Sequence, residues 1–143
     1  MLKHALAAVA LLATLAAAGT QLATPALAAD KQQVVIQVSD NDPKKWNLAV
    51  NNALNVQKAL GKDNVDIEIV AYGPGLKMMK ADSKVSGRLN GALDSGIGLM
   101  ACGNTMKKMK VGKDDLVGGV TMVQAGVIHI MKRQGEGWAY VRP

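Results

Sequence analysis

The residues able to do chemistry fall into a few separate stretches. The single cysteine, Cys102, lies in "GIGLMACGNTMKKMK", where a hydrophobic run gives way to Gly103, Asn104 and Thr105. One cysteine cannot close a disulfide within its own chain, so three uses remain open: a reactive thiol, a metal ligand or a small apolar filler. A helix starting near Asn104 or Thr105 would set unpaired amides and the positive end of its dipole beside the sulfur. Lys107 and Lys108 add positive charge one turn on. Both effects favour the thiolate, the form that attacks. Met100, Met106 and Met109 flank the cysteine, Met78 and Met79 lie on another loop, and thiolate with thioether sulfur would select Cu(I). In a chain with 8 methionines and no phenylalanine, the same residues also read as core volume.

The other candidates are polar loops. Asp40, Asn41 and Asp42 follow an apolar run, where they can cap a helix or hold a cation or substrate. "YGPG" supplies Gly73 and Gly75, a turn that could bring backbone amides to a ligand. His129, among Val127, Ile128 and Ile130, reads as a partly buried structural histidine. There is no GxGxxG fingerprint, phosphate-loop GK[ST], serine-histidine-acid set, paired zinc ligands or haem motif. Hydrolase and dinucleotide-enzyme chemistry therefore have no residues to use, and no cofactor or resident metal is implied.

These loops need elements to hold them. Residues 34–38 form a β-branched run with little alternation, as in a strand covered on both faces. In the helix that follows, Asp42 is the cap, Pro43 stands in the first turn, and Trp46, Ala49, Val50, Ala53, Val56 and Leu60 recur at helical spacing before Gly61. Residues 65–71 read as a second strand. Residues 76–93 read as helix in two pieces, with a fresh cap in "ADSK". Strands at 97–101 and 120–123, a short helix over 105–109, a last helix with Val127, Ile130 and Met131 on its apolar side, and a closing strand in "WAYV" complete the pattern. Strands alternating with helices predict a three-layer α/β/α sandwich around a mostly parallel five-stranded sheet. Right-handed crossovers then gather "SDND", "YGPG" and "CGNT" at the carboxyl edge of the strands, where such folds bind ligands.

Residues 1–28 carry a short basic start at Lys3 and His4, an alanine- and leucine-rich run, and small residues around Ala26 and Ala28. This is the pattern of a cleaved secretory signal, which predicts a periplasmic or secreted protein with no membrane span after cleavage. Removing the first 28 of 143 residues leaves 115, one domain over 29–143, and loss of Lys3 lowers the formal charge from +6 to +5. Basic residues are not interleaved with the few aromatics, so nucleic acid is not an expected partner; a solvated face that attracts small anions is.

Residues 34–143 resemble the DsrE/DsrF-like (YchN-like) sulfur-relay family, in its exported single-domain form. The resemblance is carried by "LMACGNTM", by "YGPG" after the second strand and, most specifically, by "VQAGVIHIMKRQGEGWAYVRP". It implies a homotrimer or homohexamer. It also implies that the cysteine at the position of Cys102 accepts sulfur as a persulfide and passes it to a partner, with Gly103, Asn104 and Thr105 shaping the loop. The expectation is thus a carrier of reduced sulfur on Cys102, with donor or acceptor proteins as partners. Two alternatives stand beside it: a binding or assembly protein whose cysteine only packs, and a Cu(I) protein using cysteine and methionine.

Overall fold

The computed structural model of the protein describes residues 31–143, so the leader read at 1–28 lies outside the described residues. The first strand, β1, runs over Gln32–Val38, two residues longer at its start than the apolar run. Helix α1 (Pro43–Leu60) begins as its sequence dictates: the Asp42 side chain accepts the Lys44 N–H at 2.8 Å, and Pro43 occupies the first turn. Such a cap stabilises a helix by about 1 kcal/mol. Gly61, at φ 91°, ends α1 in a conformation that a side chain would resist. Strand β2 is Val65–Ala71.

The stretch read as one interrupted helix is more divided than that. Gly73–Met79 is a 3-10 segment, and α2 is confined to Ser86–Asp94. The expected cap in "ADSK" falls two residues early: Ser83 Oγ accepts from the Val85 N–H at 3.3 Å, while Val85 itself occupies the cap position without a side-chain bond. Strand β3 is Gly98–Cys102, and α3 (Gly103–Met109) follows with no intervening loop. Strand β4 (Thr121–Val123), α4 (Gly126–Gly135) and β5 (Ala139–Val141) complete the chain.

The five strands form one sheet in the order β4-β3-β2-β1-β5, and every pairing is parallel. Parallel neighbours require crossovers, and the helices supply them on both faces. On the larger face, Val34, Ile36 and Val38 of β1, Ile67 and Ile69 of β2, and Leu99 and Ala101 of β3 pack against Trp46, Ala49, Val50 and Ala53 of α1 and Leu89 and Ala92 of α2. Met78, Met79 and Met106 belong to this same buried core, filling the volume phenylalanine would otherwise supply. Among the described residues, the smaller face holds Val35, Val70, Ile130 and Trp138 as its buried cluster, with Tyr72 and Met100 packed against it.

The last helix departs from its sequence reading. Of the apolar side read there, only Ile130 is buried; Val127 and Met131 point outward with Ile128, the last two 61% and 63% exposed respectively. The inward side is occupied by Gly126, His129 and Arg133 as well as Ile130, because both polar side chains bond to a carboxylate on the sheet. Among the described residues, no helix is long and apolar enough to cross a membrane.

Candidate functional site

Cys102 closes β3 and stands directly ahead of α3, which begins two residues sooner than its spacing implies. Its register neighbour is Val123 of β4, and because Ala71 pairs with Ala101, Tyr72 follows beside it on the β2 side. The residue is 5% exposed and bears the only thiol in the chain.

Three loops meet around this point. The Tyr72 N–H donates to Val38 O at 3.1 Å and the Gly75 N–H to Ser39 O at 3.1 Å, which fastens the loop after β2 to the end of β1. A Cβ on Gly75 would lie 2.4 Å from Val38 O, so only glycine permits this approach. The Gly73 N–H donates to Thr105 Oγ1 at 2.9 Å, joining the loop after β2 to α3. With its oxygen accepting that bond, the Thr105 hydroxyl keeps its proton for a second partner.

The fourth contributor was not singled out from sequence. Residues 124–126 connect β4 to α4, and the Asn104 N–H donates to Gln124 O at 3.2 Å. A Cβ on Gly126 would stand 3.0 Å from Tyr72 Cβ and 3.3 Å from Cys102 Cβ, so the bare backbone of Gly126 lies against the thiol residue. Gly126 opens α4, and its amide is one of those a helix leaves without an internal partner.

These groups set the ionisation of Cys102. Burial raises its pKa; the Thr105 hydroxyl and the amides of Gly126, Thr105 and Asn104 lower it by more, leaving it below the ordinary thiol value. Gly103, Asn104, Thr105 and Gly73 are therefore brought together at the cysteine, Gly75 packs instead on Val38 and Ser39 at the end of β1, and the lysines of α3, Lys107 and Lys108, are exposed beyond the thiol.

Asp40 is placed elsewhere. Its carboxylate bonds to Lys45 Nζ at 3.0 Å and lies 3.8 Å from Arg142 Nη2, while its carbonyl accepts from Trp46 Nε1 at 2.7 Å. Lys45 above all holds that carboxyl below the usual range. Its partners belong to α1 and the residues after β5, and β2 separates its strand from that of Cys102.

A second polar centre lies on the smaller face of the sheet. Glu68, in the middle of β2, accepts from Arg133 Nε at 2.9 Å and Nη2 at 2.6 Å, and His129 Nε2 lies 2.7 Å from Glu68 Oε2. Arg133 also bonds to Glu136 at 2.8 Å and stacks over the Trp138 ring at 4.5 Å. Glu68, then burial in opposition, then Glu136 act on the guanidinium; the net effect raises its pKa still further. Gly98, paired with Glu68 across the strands, has no side chain because a Cβ there would meet Met100 and Glu68 itself. Among the described residues, no group of three or more histidine, cysteine or acidic side chains is placed to hold a metal ion.

Comparison with other proteins agrees with this geometry. The family described as DsrE/DsrF-like matches residues 32–143. Among solved structures, MTH1491 of Methanobacterium thermoautotrophicum, a protein of unknown function, is 38% identical, with a TM-score of 0.75 over 78% of this chain and 99% of its own. BT1422 of Bacteroides thetaiotaomicron, also of unknown function, shares the fold at 18% identity, with a TM-score of 0.65 over 78% of this chain and 95% of its own. The ychN protein of E. coli shares it at 9% identity and a TM-score of 0.65, over 80% and 99% of the two chains. No curated protein matches. With an all-parallel sheet, a cysteine at the carboxyl edge and a family match across the whole described domain, the chain belongs to the DsrE/DsrF-like family.

Proposed function

We propose that this protein carries reduced sulfur as a persulfide on Cys102. The family is associated with sulfur relay, and the observation that supports the reading here is the set of donors around the sulfur: the Thr105 hydroxyl and the amides of Asn104, Thr105 and Gly126. The same donors that favour a thiolate favour the terminal anion of a persulfide. In the loading step, the Cys102 thiolate attacks the sulfane sulfur of a polysulfide, a donor persulfide or thiosulfate. A sulfur-sulfur bond forms on Cys102 as the donor's own bond to that sulfur breaks, and the donor leaves as a shortened polysulfide or hydrosulfide, a thiolate or sulfite respectively. An acceptor thiolate then takes the terminal sulfur and returns Cys102 to its starting state. No net oxidation occurs and no second cysteine is needed.

Mass spectrometry of the protein after polysulfide or thiosulfate exposure tests this. The expected result is an adduct of one or more sulfur atoms on Cys102, absent from Cys102→Ser. An unmodified Cys102 that alkylates freely would sink the proposal.

The setting follows the same reading. Residues 1–28 act as an export signal, so the mature chain recovered from the periplasm or medium starts at Ala29; a retained leader found by intact mass would contradict this. The protein assembles as a homotrimer or homohexamer, and the outward apolar side of α4, Val127, Ile128 and Met131, with Tyr140 beside it, supports a contact between copies. Light scattering of wild type and Met131→Glu reads this directly: a trimer or hexamer for the first and a smaller species for the second.

A second reading rests on a different place. A cleft of about 530 Å³ lined by Asn41, Trp46, Lys77, Lys80, Asp82 and Lys84 does not include Cys102; its lysines outnumber its one acid, Asp82, which pairs with Lys80 at 3.1 Å, and it would suit a small anion held without covalent chemistry. Unchanged binding and activity in Cys102→Ser would favour this reading over sulfur carriage.

A further inference from the structure

We propose that Glu68 is a positioning residue for Cys102: through His129 and Arg133 it holds α4 so that the Gly126 amide stays against the thiol. The geometry is that of a pinned lever. His129 and Arg133 stand four residues apart on the inward side of α4, and both reach the single carboxylate of Glu68. Gly126, three residues before His129, is on the same side and lies against Cys102 and Tyr72. One turn of rigid helix thus joins the ion-pair cluster to the thiol. Glu68 pairs in register with Gly98, four residues before Cys102, so the carboxylate is on the order of 13 Å from the cysteine along the sheet and cannot touch it.

Little else anchors this helix. Its only fully inward apolar side chain is Ile130, because Val127, Ile128 and Met131 face away from the sheet. The bonds to Glu68 therefore carry a large share of the attachment. Charged and titratable groups around the cluster are Asp66 on β2, Glu136 after α4 and the pair His129 and Arg133. Around the cysteine they are Tyr72 and, on α3, Lys107 and Lys108. None of those near the cysteine is changed by a substitution at Glu68.

The sign of the effect separates positioning from direct charge. Removing a negative charge at that distance would, through space, lower a thiol pKa or be screened to nothing. Loosening the Gly126 amide from the thiol would raise it. The experiment is the rate of iodoacetamide alkylation against pH in wild type, Glu68→Gln and Arg133→Lys, with Ile67→Val as a control that weakens the opposite core. The inference rests on Cys102 as the working thiol, but alkylation reads ionisation without any sulfur donor, so it stands or falls separately from persulfide transfer.

The expected result is a rise in the alkylation midpoint for Glu68→Gln, slowing the reaction near neutral pH by about threefold or more while the high-pH plateau is unchanged. Arg133→Lys, which keeps the charge and loses the fork, gives a smaller rise. A midpoint in Glu68→Gln that stays at the wild-type value or falls overturns the proposal. So does an equal rise in Ile67→Val, which would mean that general loosening of the fold moves the thiol.

Discussion

On one face of the sheet, α1 and α2 press Trp46, Val50, Leu89 and Ala92 onto Ile36, Ile69 and Leu99 in an apolar core. On the other, α4 alone brings His129 and Arg133 to Glu68 and leaves its apolar residues outside. The first face is held by non-directional burial, worth about 1.5–3 kcal/mol for each large side chain removed from water. The second is held by directed bonds that fix one orientation and contribute less net stability, because the charges lose their hydration. The difference matters for Cys102, which ends its strand on the side that α4 covers. A slippery apolar contact would let the Gly126 backbone shift, whereas a forked arginine and a histidine on one carboxylate hold it in register.

The largest break in this comparison comes from the apolar face. Ile69→Ala removes a fully buried side chain and is expected to cost about 2–5 kcal/mol in denaturant unfolding, with the thiol's alkylation profile unchanged. Glu68→Ala leaves the Arg133 guanidinium without its carboxylate and His129 without its bond partner, and should cost about 3 kcal/mol; replacing Glu68, His129 and Arg133 together by apolar residues of similar size should recover most of it. If the triple replacement is worse than Glu68→Ala, the polar face contributes more to stability than the comparison allows.

Smaller effects sharpen the site itself. Thr105→Val removes the hydroxyl between Gly73 and Cys102, with an expected loss of about 1 kcal/mol and slower alkylation near neutral pH. Because the folded-state thiol pKa lies below its unfolded value, the folded protein gives up this proton first. Cys102 therefore adds stability that is fully present above the unfolded pKa and is lost as pH falls through the folded one. Unfolding of wild type and Cys102→Ser at pH 6 and pH 9 should show the gap between them moving in favour of wild type at the higher pH. The least effect is expected for Lys31→Ala, whose pair with Asp66 is more than two-fifths exposed on both sides: below about 0.5 kcal/mol.

Much of the architecture was legible because its signals are local. Asp42, Pro43 and Gly61 mark both ends of α1 through their own backbone chemistry, and "VDIEIVA" gives β2 to the residue. The meeting of the glycine turn with the cysteine loop followed from parallel topology alone. The Glu68 centre did not follow, since His129 and Arg133 are 61 and 65 residues away and only the crossover of α4 joins them. The signal was present in weak form: an acidic residue inside an apolar strand, and a histidine and an arginine spaced four apart on a helix otherwise apolar on its other side. Gly126 lies within the closing motif, but its contact with Cys102 depends on which face α4 crosses. Asp40 illustrates the reverse case, a loop acid at the expected edge that local lysine and arginine partners occupy.

The sheet order carries a consequence for how the molecule comes into being. Strand β5 completes the edge of β1, pairing Val34 with Ala139 and Ile36 with Val141, so β2, β3 and β4 are all made before that edge is covered. Four strands can assemble in order of synthesis while β1 presents unpaired backbone to its surroundings, a template for another chain. Contacts so distant in sequence form late and slowly. The final residues therefore act as a closing seam: the same few that finish the sheet also end the period in which a growing or refolding chain can join its neighbour instead of itself.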